Sequence, residues 1–398
     1  MSNFFTKNLP ALKDRDFKFF IVSQVLSLSG GFVQNVALSW LVFEASGSGL
    51  YLSIFLFLCY LPIFLLSYPA GVLCDRVSIK AVLLVTEVIL AVMSGGLFVA
   101  LIFLKIPFWF YAVFGFVWGV VRAIQSPAAA AIPKRLMQKN NNMLKIAVAL
   151  NNLALSLARG LGPLAAAFVY AKYGGAGALA VNFISYIPSI WCLAKMKHIS
   201  GANKAKTQNQ KLRQVFDFHK PAIYLLMLAL IISFFATNYN LVLAELTKLQ
   251  NMSSTAFALL MSCLGAGALI GAVILCFTPA KLPPVLSSIA ISGLCALLGF
   301  INQPIVLFCL VLVYGFFDYC FFTVIISRLQ QSCKAEMAAR VMSIYLLITT
   351  GALPLGTLAL GAVVDKLKIT LCLYLIAGIT LALQLLVLVV KKRLVKTR

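Results

Sequence analysis

The sequence predicts an all-α polytopic membrane protein: twelve transmembrane helices in two pseudo-symmetric six-helix bundles, with both termini in the cytoplasm. Three observations carry this. Of 398 residues, 62% are hydrophobic, and they gather in runs of about 20, the length a helix needs to cross ~30 Å of hydrocarbon. The 33 Lys and Arg fall mainly in alternate gaps between those runs. A single long polar segment lies near the middle of the chain.

The apolar runs place spans at 18–43, 50–73, 81–104, 108–131, 147–170, 177–194, 221–244, 256–277, 284–301, 304–327, 341–363 and 370–390. On one side, 26 of the 33 basic residues occupy the ends and every second loop. Only Lys105, Lys172, Lys248, Lys366 and Lys368 lie on the other side, and Arg122 and Arg159 fall inside spans. The positive-inside rule then assigns both termini to the cytoplasm. The first run is too long for a signal-peptide core and lacks a small-residue cleavage site, so it is expected to remain as an anchor. The polar stretch 195–220 is read as a cytoplasmic linker between an N-terminal bundle, 1–194, and a C-terminal bundle, 221–398.

A net charge of +23 would suggest nucleic acid in a soluble protein. Here the charges are scattered over short loops beside apolar helices, so they read as topological signals, and membrane lipids rather than nucleic acid are the expected surroundings. Ten cysteines are dispersed without CxxC spacing, Cys59, Cys192, Cys263, Cys309 and Cys320 within apolar runs; they read as packing residues. The only histidines, His198 and His219, lie in the linker. Neither a metal site nor a hydrolytic triad assembles from this inventory, no cofactor is implied, and an enzyme is not expected.

The two halves share a weak repeat. The fourth span carries Gly119-Val-Val-Arg122 and the tenth carries Gly315-Phe-Phe-Asp318; Pro163 follows Gly119 by 44 residues, and Pro354 follows Gly315 by 39. Parallel six-helix repeats recur in secondary transporters. After the second span comes Gly71-Val-Leu-Cys-Asp75-Arg76-Val-Ser-Ile-Lys80. This resembles the loop 2/3 signature of the major facilitator superfamily, with Ser78 in place of the usual second glycine and Ile79 in place of a basic residue. Gly71 would let two helices approach, and Asp75 would face a helix N-terminus or an arginine. The corresponding stretch Thr278-Pro-Ala-Lys281 lacks the acid.

A narrower resemblance covers about 350 residues. Leu12 to Phe20, Gln24, Ser27, Gly30, Gln34, Ala37, Trp40, Ser126 to Pro133, Arg159-Gly160-Leu-Gly162-Pro163, Asn182 to Tyr186, Arg340 to Ser343 and Pro354-Leu-Gly356 stand in that order. Together they resemble the branch holding enterobactin exporters, transmembrane secretion effectors and related drug-efflux proteins. The resemblance implies the major facilitator fold, a bacterial inner membrane, a central cavity lined by spans 1, 4, 7 and 10, and alternating access. The Gly160, Gly162 and Pro163 cluster resembles the fifth-span signature of exporters in this superfamily; a proline there frees a carbonyl and permits a bend, and glycines permit close packing.

Ionisable groups inside spans are costly and mark functional sites by default. Arg122 and Asp318 are expected to face one another across the route, or to form a static pair. Arg159 is a second fixed positive charge, with packing and ligand roles both open. Glu87, on the third span, either braces the loop 2/3 motif or serves as a proton carrier. Asp318 is the first choice for coupling, because substrate anion and carboxylate would compete for Arg122. Gln24, Gln34 and Asn35 on the first span, with Asn238 and Asn240 on the seventh, either line a polar cavity or tie helices together. Glu44 and Glu245 are read as solvated rim residues.

Arginines that grip carboxylates or phenolates suit an anionic or polyhydroxylated cargo. The function implied is proton-coupled export of a small molecule, foremost a siderophore, by a monomer. A multidrug or macrolide efflux pump and a lysophospholipid flippase are the alternatives of the same fold.

Overall fold

A computed structural model describes residues 10–104, 106–137, 141–196, 220–277, 283–301, 303–331 and 335–396. After a short 3₁₀ turn at Pro10–Lys13, the helices are α1 Arg15–Ser46, α2 Gly49–Arg76, α3 Ile79–Phe103, α4 Phe108–Leu136, α5 Asn141–Lys195, α6 Lys220–Phe235, α7 Tyr239–Leu249, α8 Ser254–Phe277, α9 Pro284–Phe300, α10 Pro304–Gln331, α11 Ala335–Val364 and α12 Ile369–Lys396. In hydrocarbon a peptide group finds no water, so a helix that satisfies its own backbone is the natural way across.

Among the described residues, ten helical segments are long and apolar enough to cross a membrane, against twelve spans read from the sequence. Two features account for the difference. The fifth and sixth expected spans are two helices that follow one another directly within Asn141–Lys195, meeting at Gly174, whose φ 66° and ψ −167° are not helical and are open to glycine but closed to most side chains. The ninth is only 17 residues long. The seventh expected span is interrupted: α6 ends at Phe235 and α7 begins at Tyr239.

The chain forms two compact units, residues 1–41 with 58–206, and residues 42–57 with 207–398. The turn between α1 and α2 therefore groups with the second unit. In the first unit α3 packs on α4 and α5; in the second α8 packs on α10, α9 on α12 and α6 on α11. A core of Phe17, Phe20, Ile79, Leu83, Ile132 and Leu193 closes one end of the first unit.

The repeated glycines have the same job in both units. A Cβ on Gly119 of α4 would strike the carbonyl of Cys59 on α2, and one on Gly315 of α10 would strike that of Leu264 on α8. In each case the backbones touch because a side chain is missing, the usual basis of helix association where lipid removes the hydrophobic drive. Polar ties repeat as well: Ser94 of α3 bonds Asn182 of α5 at 3.1 Å, and Thr380 of α12 bonds Ser292 of α9 at 2.8 Å. The close approach expected at Gly71 is not found; a Cβ there would meet no described atom within 4 Å. That position faces away from α4, to which the end of α2 is tied at Cys74, where Arg135 Nη2 donates to the carbonyl at 3.2 Å.

Gly119→Val and Gly315→Val are each expected to lower the thermal midpoint of the detergent-solubilised protein, because overpacking costs about 1–3 kcal/mol. Gly293→Ala, where a Cβ meets open space, is expected to leave it unchanged.

Candidate functional site

On α3, Glu87 falls on the stripe that also buries Leu83, Leu90 and Ala91, and it is 0% exposed. On α4, Arg122 and Gln125 are three residues apart and so share a face. Arg122 Nη1 donates to Gln125 Oε1 at 2.7 Å, and Gln125 Nε2 donates to Glu87 Oε1 at 3.0 Å. A guanidinium can only donate, so the amide is turned with its oxygen toward Arg122 and its nitrogen toward the acid. One turn earlier Trp118 lies beneath the guanidinium, 5.6 Å from its carbon to the ring centroid, a cation–π contact.

The hydroxyls of Ser27 on α1 and Ser189 on α5 lie beside the same carboxyl group. Its second oxygen, Oε2, takes up no hydrogen bond among the described residues. Ser189 also bonds Ser23 at 2.8 Å, and Tyr186 is buried with Leu90, Ala91 and Val121 alongside. Gln125 is 3% exposed, whereas Arg122 is half-buried. The arrangement is a permanent positive charge with an accessible side, and an acid enclosed behind it. Such a guanidinium keeps donors to spare for an anion.

About two turns along α1 from Ser27 is a second buried layer. Gln34 Oε1 accepts from Ser94 at 2.5 Å and from Asn182 Nδ2 at 2.6 Å, joining α1, α3 and α5. Gln24 is also buried on α1; Asn35 is half-buried, its carbonyl taken by Ser39 at 2.9 Å. Gly162 allows α5 to lie against α1, since a Cβ would sit 2.5 Å from that of Phe32, and Pro163 is buried beside it. On the other end of the unit, Lys80 Nζ donates to the Ala194 carbonyl at 2.9 Å and to that of Met196, neutralising the C-terminus of α5. The side chains of Asp75, Arg76 and Arg159, and the surroundings of Gly160, lie outside the described residues.

In the second unit, the gap between α6 and α7 exposes carbonyls that side chains recover. Asn238 Nδ2 donates to Phe234 at 2.8 Å and Phe235 at 3.3 Å, Tyr314 donates to Ala236, and Thr357 donates to Asn238 Oδ1 at 2.6 Å. Gly356, two residues past the buried Pro354 of α11, leaves room for the Phe234 carbonyl. A cavity of about 20 Å³, lined by Tyr239, Leu264, Cys295 and Tyr314 among others, opens at this break; it has room for a single water. Asp318, one turn beyond Tyr314, is half-buried and electrostatically close to Tyr314 and Cys295. Arg122 and Asp318 thus belong to different units, and the acid bonded into the Arg122 network is Glu87.

A further cluster surrounds the start of α2. Asp365, just past α11, accepts from the Ser48 hydroxyl, from Gly49 N–H at 2.9 Å and from Leu50 N–H at 3.3 Å. It caps a helix N-terminus from a distant point in the chain. Lys248 Nζ bonds the Gly47 carbonyl at 2.6 Å, and Glu245 is half-buried against Gly49. Glu245, read as a solvated rim residue, is part of this packed corner, while Glu44 is exposed.

Residues 6–397 match the model of a family described as transmembrane secretion effector, a branch of the major facilitator superfamily. The chain belongs to this family. It is 25% identical over 372 residues to a staphyloferrin A transporter of Staphylococcus aureus, covering 87% of this chain and 89% of that one. Its fold is that of the solved nucleoside transporter NupG, with TM-score 0.73 at 12% identity over 94% of this chain and 99% of the other. A POT family transporter in complex with 5-aminolevulinic acid gives TM-score 0.73 at 12% identity, covering 96% of each chain. The protein is a multi-pass membrane transporter and not an enzyme.

Three residues central to the transporter's geometry were not candidates in the sequence: Gln125, Trp118 and Asp365. For the first two a signal existed, since both stand one helical turn from Arg122. Asp365 had none, because only folding brings it to Ser48.

Asn182→Ala is expected to cost about 1 kcal/mol, the scale of one interhelical hydrogen bond in a membrane protein, and to lower the thermal midpoint. Asp365→Ala is expected to speed labelling of a Ser48→Cys reporter by a membrane-impermeant maleimide, because the capped turn is released.

Proposed function

We propose that this transporter exports a siderophore, or a chemically similar small anionic molecule, across the bacterial inner membrane by proton antiport and alternating access. The observation that carries the reading is the buried Glu87 bonded through Gln125 to the half-buried Arg122. A permanent cation recruits the anion, and a carboxyl group on the same network exchanges the proton. Similarity to a staphyloferrin A transporter supports the cargo class.

The proposed frame has twelve spans in two six-helix bundles, 1–194 and 221–398, joined by a cytoplasmic linker at 195–220. Both termini are cytoplasmic, as the lopsided distribution of Lys and Arg indicates, and one chain suffices. Gln24 and Asn35 on α1 line the route with Arg122 and Arg159, while Gln34 holds the helices that frame it. Asp318 serves as a second acidic coupling group in the other half. Gly71, Asp75, Arg76 and Lys80 govern closure on the cytoplasmic side. Gly160, Gly162, Pro163 and Pro354 supply the bends and close contacts that shape the export path.

Metabolite profiling of an iron-starved deletion strain tests this. An iron-chelating metabolite is expected to vanish from the medium and accumulate in cells, restored by wild type and reduced at least about tenfold with Arg122→Ala or Glu87→Gln, a loss of about 1.4 kcal/mol or more. Unchanged secretion with increased sensitivity to amphiphilic antibiotics would replace the siderophore reading by drug efflux.

A further inference from the structure

Where α1 begins and α5 ends, four side chains stand in a row across the two helices. Arg15 lies over the ring of Phe19, 5.5 Å from its centroid. Phe19 meets Trp191 edge to face, with centroids 6.0 Å apart, and Lys195 lies over Trp191 at 5.8 Å. Two cations thus bracket two aromatic rings. The row is accessible: Arg15 and Lys195 are exposed, and Trp191 keeps 56% of its surface open.

Helical spacing carries the row onward into apolar surface. On α1, Val22 shares a face with Arg15 and Phe19; on α5, Ile184 and Ile187 share one with Trp191 and Lys195. All three aliphatic side chains are exposed, so an apolar strip runs down from a cationic rim. About two turns deeper, the hydroxyls of Ser23 and Ser189 join the same two helices at 2.8 Å.

The rim carries more positive charge than its surroundings use. Among the described residues neither Arg15 nor Lys195 makes an ion pair, and Lys13 and Lys18 are exposed alongside Arg15. The acids nearest in sequence, Asp14 and Asp16, are half-buried, and Asp14 accepts from the Phe17 N–H at 2.8 Å at the start of α1. Lys80 is turned to the carbonyls of Ala194 and Met196. A cation lying over a ring is held by the charge distribution of the ring and keeps its N–H groups for an anion.

We infer that this row is a binding site for one anionic phospholipid, whose phosphate sits between Arg15 and Lys195 and whose acyl chains run along Val22, Ile184 and Ile187. Charge complementarity selects an anionic headgroup over a zwitterionic one, because the rim offers cations and no exposed carboxylate to meet a headgroup ammonium among the described residues. Trp191 suits the depth, since an indole at headgroup level keeps its body in lipid. A lipid bridging the two cations ties the start of α1 to the end of α5 from outside, while the serine pair ties them from within.

The test needs neither cargo nor gradient, so it stands apart from the proposed function. The full-length protein is reconstituted in phosphatidylcholine vesicles containing a rising fraction of brominated phosphatidylglycerol or brominated phosphatidylethanolamine, and bromine quenches tryptophan on contact. The Trp191 signal is isolated by subtracting the Trp191→Phe curve. Phosphatidylglycerol is expected to reach half-maximal quenching of Trp191 at a mole fraction at least about fivefold below that of phosphatidylethanolamine. Arg15→Gln combined with Lys195→Gln is expected to abolish that preference, and each substitution alone to reduce it about twofold should the pair not fold. Lys172→Gln, which removes a cation over Tyr173 near the Gly174 turn, is expected to leave it unchanged.

Equal quenching by the two lipids, or an unchanged preference in the folded variants, overturns the site. Loss of the preference on adding inorganic phosphate, but not chloride of the same ionic strength, assigns the rim to a free anion and overturns the lipid.

Discussion

A peptide group inside hydrocarbon has no water to bond, and each unsatisfied one costs several kcal/mol. Helices meet that demand along most of this chain, and the places where the backbone departs from a helix are where side chains become indispensable. Between α6 and α7 the carbonyls of Phe234, Phe235 and Ala236 turn to Asn238 and Tyr314. At the start of α2 the amides of Gly49 and Leu50 turn to Asp365. The same demand governs Glu87, which stays enclosed by drawing Gln125, Ser27 and Ser189 around it.

Because backbone bonds are spent within helices, association between helices falls to small residues and side-chain ties. Gly119 and Gly315 bring helix backbones into contact in the two units, and the Ser94–Asn182 and Ser292–Thr380 pairs tie equivalent helices. These contacts make each unit a firm support on which a few polar groups are held in register. The Arg122 network depends on that support: Gln125 reaches both Arg122 and Glu87 only because α3 and α4 are packed at a fixed separation.

The two units carry unlike polar equipment on a common frame. The first holds an arginine, an amide and an enclosed acid in one line. The second holds an interrupted helix, a small cavity and the half-buried Asp318. Interrupted helices near the midplane are a recurring device for substrate and ion sites in secondary transporters, and here the break falls in Ile223–Leu249, the most enclosed of the ten apolar segments.

Membrane insertion and the helical class were legible in the chain itself, because apolar run length responds to the bilayer and not to tertiary contacts, and the family was legible through the resemblance carried by Gly71 to Lys80 and the ordered motifs from Leu12 to Gly356. Arg122 and Glu87 stood out for the same reason: charge in an apolar run is conspicuous wherever it folds. Their connection was not legible, because it passes through Gln125, an uncharged residue whose value depends on α3 and α4 being neighbours. The break at Thr237 and Asn238 was not legible, because the polar stretch Thr237-Asn238-Tyr239-Asn240 reads equally as residues on a continuous helix that line a cavity or tie helices together. The Asp365 cap joins positions more than 300 residues apart. Hydropathy acts locally along a chain, so the sequence determined that this is a helical, multi-pass membrane protein; hydrogen bonds between helices require distance and direction in space, so only the tertiary structure decided which polar groups work together.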